Sequence, residues 1–368
     1  MGSLHRVGDD EMMRMRIPLA KPFFDESENQ EVKEVLNSGM VSQGKVVEEF
    51  EEVVRRYVGA KYAVAVSSCT AGLYLTSLEM EGMRYNRNWI VPAFTFPAIN
   101  KIREYVELPS SPFIQMIDVD KNTYNLDTHE LDKLGISSMI VPIHQFGLPC
   151  EMGKIRRCAR ENETHVLEDA ACALGSEYMG EKIGRRGTAV FSFHGRKIIT
   201  TGEGGMVVTD DEEIYEAVST GRQFGKNKDG KFIGNGMNFK MSDIQAAIGI
   251  AQMGKIYHIL KQRDIINATY NITIRAELGE KVRTPDNGGG RNNQSYVVRL
   301  KNEINRNEVI RKMREMGIEC QVGSYDNSNG NCKVSAELAR TTLALPIWAG
   351  MTAEQVIEVV EGLKTCVQ

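Results

Sequence analysis

Residues 188–209 hold two short apolar runs, Ala189 to Phe193 and Met206 to Val208, with one amine, Lys197, and a glycine turn, Gly202 to Gly205, between them. Runs of this length read as buried strands. A buried strand that ends beside a lone amine constrains the fold, because the strand needs neighbours on both edges and the amine needs a solvated or occupied cleft. A desolvated amine gives up its proton more readily and becomes a nucleophile, so the chemistry that suits Lys197 is a Schiff base. The alternative is a surface lysine on a loop, which most lysines are. A P-loop is excluded, because no Lys-Ser or Lys-Thr follows Gly202 to Gly205, and dinucleotide-fingerprint spacing is absent.

Two upstream segments supply partners. In His165-Val166-Leu167-Glu168-Asp169-Ala170-Ala171 the acids stand at the carboxyl end of an apolar run, where open α/β sheets bind ligands. A carboxylate there can hold a protonated pyridine nitrogen; equally, Glu168 or Asp169 can cap a following helix. Tyr62 to Val66 reads as a strand, Ser67 to Gly72 as a junction of small residues, and Leu73 to Leu78 as helix. Such a junction suits an anion at a helix N-terminus, or an ordinary cap by Ser67 or Ser68.

Together these segments resemble the DegT/DnrJ/StrS family of sugar-nucleotide aminotransferases, fold-type I enzymes that use pyridoxal 5'-phosphate. The resemblance runs from about Ile17 to Leu363. It includes Ile17 to Pro22, Val91-Pro92-Ala93-Phe94-Thr95-Phe96, Asp118 to Asp120 with Tyr124 to Asp127, Pro142 to Gly147, Gly236 to Ala247 and Leu343 to Pro346. It implies that Lys197 holds the cofactor as an internal aldimine and shuttles the proton, with pyridoxamine phosphate between two half-reactions. It implies that Asp169 bonds the pyridine nitrogen, that Phe96 and Ala171 flank the cofactor ring, and that Thr70 and Ala71 offer backbone N–H groups to its phosphate, with the Ser192 hydroxyl. Asn238 would reach the phosphate of a neighbouring subunit, giving a homodimer with shared sites. The implied substrates are an amino-acid donor, glutamate, and a nucleotide-linked deoxy-keto-sugar.

Departures from the family pattern are informative. Cys172 stands where Gln or His usually bonds the ring hydroxyl, and a thiol is a weak donor. Lys240 replaces an arginine. After Gly317 the usual aromatic and histidine residues give way to the polar run Gln321 to Gly330. Sugar dehydratases of the family carry histidine at the lysine position, so Lys197 speaks against that chemistry. A retired, non-catalytic regulator or sensor would have no reason to keep Lys197, Asp169 and Ser192 together.

The rest of the chain sets bounds. A net charge of −4 does not advertise nucleic acid or an anionic membrane. No apolar run approaches the ~18 residues of a membrane span, and no signal-peptide pattern opens the chain. The seven cysteines show no Cys-x-x-Cys and no metal-ligand spacing, as expected for free thiols in a cytoplasmic protein without a metal site. For His144 and His194 we expect buried, hydrogen-bonded rings.

The pattern predicts strands at 62–66, 89–92, 138–143, 165–168, 189–193 and 205–209, in a mostly parallel sheet covered by helices. It predicts one long helix from Ser242 to about Ala276, a loop at Asp286 to Asn293, and a smaller α+β unit at the C-terminus. The expected divisions are a tail at 1–16, a cofactor-binding domain at 17–260 and a small domain at 261–368.

Overall fold

The computed structural model describes residues 15–82, 88–105, 114–131, 137–285 and 288–368; most of the expected tail and residues 286–287 of the expected loop lie outside them. The chain lays down β1 (Tyr62–Val66), β2 (Asn88–Pro92), the short β3 (Phe94–Thr95), β4 (Ile114–Ile117), β5 (Ser137–Ile140) and β6 (His165–Asp169). A hairpin of β7 (Glu177–Tyr178) and β8 (Glu181–Lys182) follows, then β9 (Thr188–Ser192) and β10 (Gly205–Thr209).

Seven of these form one sheet in the order β1-β10-β9-β6-β5-β2-β4. The pairings among β4, β2, β5, β6 and β9 are parallel. Only β10 runs against its neighbours, β1 and β9. The sheet is therefore mostly parallel, as the continuous apolar runs required. Alternate side chains feed two cores: Ala189, Phe191, Met206 and Val208 pack on one face, Val190 and Val207 on the other. Helices cover both.

Two expectations need correction. The strand expected at 138–143 leaves the ladder at Ile140. Val141 still bonds the Ile90 carbonyl, and Pro142, with no N–H to give, breaks the regular ladder. Beyond it only a bridge remains, the Asp169 N–H on the Pro142 carbonyl with Ile143 opposite Asp169. The long helix begins as expected, with a capping box of Ser242 and Gln245, but it is two helices, Asp243–Gly254 and Ile256–Glu277. Gly254 is a poor helix former. Lys255 behind it leaves helical geometry (φ −108°, ψ 2°) and ion-pairs with Asp25 at 3.0 Å and Glu28 at 2.5 Å.

The helix Ile256–Glu277 gives Ile256 and Ile259 to the first core and Ile266, Tyr270 and Ile274 to another. That further core is built on an antiparallel sheet of β11 (Val282–Arg283), β12 (Tyr296–Leu300), β13 (Gln321–Val322) and β15 (Thr342–Leu345), in the order β11-β12-β15-β13, with the helices Arg306–Glu315 and Ala353–Val367. Two pairings bind the parts of the chain together. Ile17 bridges Ile318 in parallel. The strand β14 (Tyr325–Asp326) pairs with β3, Tyr325 opposite Thr95 and Asp326 opposite Phe94.

Candidate active site

The carboxyl ends of β6 and β9 open into a cavity of about 370 Å³ lined by Thr70, Phe96, Asp169, Ala171, Cys172, Ser192 and Lys197. The loop that delivers Lys197 is closed on itself. The Phe193 amide bonds the Gly204 carbonyl at 2.9 Å, the Thr201 amide returns to the Phe193 carbonyl at 3.0 Å, and the Lys197 amide bonds the His194 carbonyl at 2.9 Å. Gly205 is required where β10 starts: a Cβ there would meet the Ser68–Cys69 peptide at 2.5–2.7 Å. The turn that presents the lysine is thus packed against the helix N-terminus that follows β1.

Lys197 Nζ donates to Cys172 Sγ at 3.1 Å. Burial pushes the amine toward the neutral form, but Cys172, Cys69 and Asp169 around it outweigh burial, and the amine sits above its ordinary range. The expectation of a more readily deprotonated amine is corrected for the protein alone: its neighbours raise the amine against the effect of burial.

Asp169 is 7 % exposed. Its Oδ1 accepts the Ala171 N–H at 3.0 Å, and Oδ2 has no hydrogen-bond donor among the described residues. Burial raises its carboxyl above the usual range, against the pull of the Ala171 N–H, Lys197 and His144. No helix follows β6 directly, so neither acid is a helix cap; Asp169 holds a turn. Glu168 accepts from His144 Nε2 at 3.1 Å and from Arg156 at 2.9 Å. His144 Nδ1 accepts the Cys150 N–H at 3.0 Å, which fixes the proton on Nε2. This chain of groups, buried at His144 and Glu168 and half-buried at Arg156, holds the strand end that carries Asp169.

At the helix Cys69–Gly82 the structure shows the cap. Ser68 caps it, its Oγ taking the Ala71 N–H at 3.1 Å and its carbonyl the Gly72 N–H at 3.1 Å. The Ala71 N–H expected to face a phosphate is therefore engaged, and Ala71 does not line the cavity. The Cys69 and Thr70 N–H groups take no acceptor among the described residues. His194 is half-buried rather than buried; its Nδ1 accepts the Arg196 N–H at 3.2 Å.

Phe96 is 65 % exposed and meets Tyr325 edge to face, centroids 6.5 Å apart. Asn238 does not line this chain's own cavity. It is exposed on a loop that bridges Gln223, next to Phe239, whose carbonyl takes the Ser67 N–H at 2.7 Å.

Arg196 and Gln294 of the cavity lining, and Asn292 outside it, went unread in the sequence. Arg196 lines the cavity beside Lys197 and donates to Gln321 Oε1 at 2.6 Å. Gln294 holds the Arg196 carbonyl at 2.7 Å, and Asn292 holds the carbonyls of Cys172 and Leu174 at 2.8 and 2.9 Å. The available signal was three consecutive amides, Asn292 to Gln294, after a glycine run; all three are buried.

The DegT/DnrJ/EryC1/StrS aminotransferase family matches residues 22–364. The chain belongs to this family. It is 32% identical to GDP-perosamine synthase of Caulobacter vibrioides, over 95% of this chain and 97% of that protein. It is 30% identical to the spore coat polysaccharide biosynthesis protein SpsC of Bacillus subtilis, over 96% and 97%. Helicobacter pylori PseC, an aminotransferase involved in the biosynthesis of pseudoaminic acid, superposes with a TM-score of 0.87 at 25% identity, over 95% of this chain and 99% of that one. The fold is the fold-type I arrangement the resemblance implied. Among the described residues no helix is long and apolar enough to cross a membrane.

Proposed function

We propose that this family member is a sugar aminotransferase that takes an amino group from an L-amino acid, glutamate, and delivers it to the keto carbon of a nucleotide-linked deoxy-sugar. The observation that carries the reading is the convergence of Lys197 and a buried Asp169 on one cavity at the strand ends. The cofactor is pyridoxal 5'-phosphate, and this chain's groups fit it. Among the described residues the Asp169 Oδ2 has no donor and the Cys69 and Thr70 N–H groups at a helix N-terminus have no acceptor, and Lys197 lines the same cavity. Lys197 would hold the cofactor, Asp169 its ring nitrogen, and Thr70 and Ser192 its phosphate; Phe96 and Ala171 would flank the ring. Bound there, the cofactor supplies an electron sink for the bond that ionises next to the amino group.

The protein's part is orientation and proton movement. The Asp169 carboxyl is fixed by the Ala171 N–H through one oxygen and is free to take a proton-bearing nitrogen with the other. Lys197 Nζ would remove and return the proton at the reacting carbon; in the protein alone it donates to Cys172 Sγ. Arg196 is the one cation besides Lys197 that lines the cavity among the described residues; we assign it to a carboxylate or phosphate of a substrate. We further propose a homodimer in which Asn238 completes the partner's phosphate site. Its exposure, and its absence from its own cavity, support that. We also propose that residues 17–260 hold the cofactor and 261–368 form the smaller domain. Lys197 argues against a dehydratase, and the retained Lys197, Asp169 and Ser192 against a silent regulator.

The test is the half-reaction. The purified holoenzyme mixed with L-glutamate should lose its lysine-bound cofactor absorbance and release 2-oxoglutarate. Addition of a panel of nucleotide keto-sugars should restore the absorbance with one of them and yield an amino-sugar identified by mass and NMR. Failure of every amino acid to change the cofactor spectrum would overturn the reading.

A further inference from the structure

The strand β12 touches two cavities. Ser295 just before it and Val297 near its start line the catalytic one; Arg299 and Leu300 at its end line a second, of about 610 Å³, which shares Arg275, Arg283 and Thr284 with a third of about 360 Å³. Five cations line this joined groove: Lys121, Arg275, Arg283, Arg299 and Lys301. None makes an ion pair among the described residues. Arg299 donates to the Lys121 carbonyl at 3.3 Å, a neutral acceptor, and has no carboxylate within ion-pair distance among the described residues. Glu280, Glu303 and Glu337 line the wider part, out of ion-pair reach of the cations. Among the described residues no carboxylate lines the narrower part.

Arg283 and Arg299 are direct cross-strand partners of the antiparallel pair β11–β12. Opposed residues of such a pair share a face with their Cβ atoms roughly 5 Å apart, and like charges there are destabilising. A chain with net charge −4 has no general surplus of cations to scatter. The fold thus carries a local repulsion that an anion would relieve.

We propose that this groove is an anion site for a phosphate-bearing ligand with at least two phosphate groups, held by Lys121, Arg275, Arg283 and Arg299. Arginine forks match phosphate oxygens in bidentate geometry. Tyr124, the aromatic residue of the lining, is buried at 4 % exposure, so no ring is offered to a base. Recognition is of the phosphates, and nucleoside diphosphates bind alike whatever their base.

The experiment uses the holoenzyme, whose catalytic phosphate site is filled, titrated calorimetrically with inorganic pyrophosphate at low salt. Saturable binding is expected, weakened by added salt. Arg283→Gln and Lys121→Gln should each weaken it about tenfold or more, the loss expected for a charge-assisted contact. Arg196→Gln, in the catalytic cavity, should leave it unchanged; binding that is lost in that variant belongs to the catalytic cavity instead and overturns the groove. Without anion, Arg283→Gln should raise the thermal midpoint by about 1–3 °C, because a repulsion is gone. No saturation with pyrophosphate, or undiminished binding in both groove variants, overturns the site. A lower midpoint for Arg283→Gln without anion overturns the uncompensated pair on which it rests.

Discussion

The floor of the catalytic cavity and its rim are built by opposite means. The floor is local: Asp169 ends β6, Ser192 ends β9, and Lys197 follows five residues later on a loop closed by its own backbone. The rim is assembled from afar: Tyr325 stands over Phe96, Gln321 meets Arg196, and Asn292 reaches Cys172. A local floor can hold chemistry fixed while a distant rim changes what enters. On this division, floor variants lose turnover whatever the substrate, and rim variants change affinity and preference.

The largest expected effect is at the floor. Lys197→Ala should lose the lysine-bound cofactor absorbance and all measurable turnover; transamination at the parent rate would break the assignment. Asp169→Asn comes next, with kcat lowered by roughly two to three orders of magnitude, the scale of losing one preorganised charge contact in a site. Stability should move the other way. The folded Asp169 carboxyl sits above its unfolded value, so ionising it costs the cofactor-free fold stability that is lost as pH rises through that window. The Asn variant avoids this cost, and its cofactor-free form should melt at or above the parent at neutral pH. A destabilised apoprotein with full activity would assign Asp169 to structure.

Arg196→Gln tests the rim. Loss of a charged hydrogen bond of about 1.5–3 kcal/mol should cost roughly 10- to 100-fold in kcat/KM for an anionic substrate. The spectrum of the bound cofactor should stay unchanged. A drop in kcat with KM unaltered would move Arg196 to the floor.

The smallest effect is expected at Cys172, where floor and rim meet. Its bond to Lys197 is worth no more than about 1 kcal/mol net, so Cys172→Ala should keep the cofactor and most activity. What should change is loading of the cofactor-free protein. Loading needs the neutral amine, and the folded Lys197 is held above its ordinary value partly by Cys172. In the parent, loading should therefore accelerate with rising pH beyond the usual lysine range, and Cys172→Ala should move that profile to lower pH. Loss of turnover in Cys172→Ala with cofactor still bound would instead make the thiol a reacting group.

The same division decides what the sequence made legible. Lys197, Asp169, Ser192 and the small residues after β1 each stand at the end of an apolar run, and a run ending beside a reactive side chain is a pattern in consecutive residues. Arg196 was hidden although adjacent to Lys197, because its importance lies in Gln321, 125 residues away. Tyr325 was hidden in a polar stretch with no periodicity, since β14 has two residues and its partner is β3. Periodicity also misread the break at Lys255, where the deciding contacts, Asp25 and Glu28, lie some 230 residues upstream.

The β3–β14 ribbon and the Ile17–Ile318 bridge carry a consequence for synthesis. A ribosome releases β1, β6, β9 and Lys197 long before Tyr325 and Ile318 exist. Pairings of such long sequence separation form late. The nascent chain therefore offers the cofactor an open shelf, and the wall over Phe96 is raised late, with Ala344, Leu345 and Ile347 of the same cavity following it. Loading during translation would meet none of the barrier faced by cofactor entering the finished protein, and chains made without cofactor should take it up more slowly than chains made in its presence.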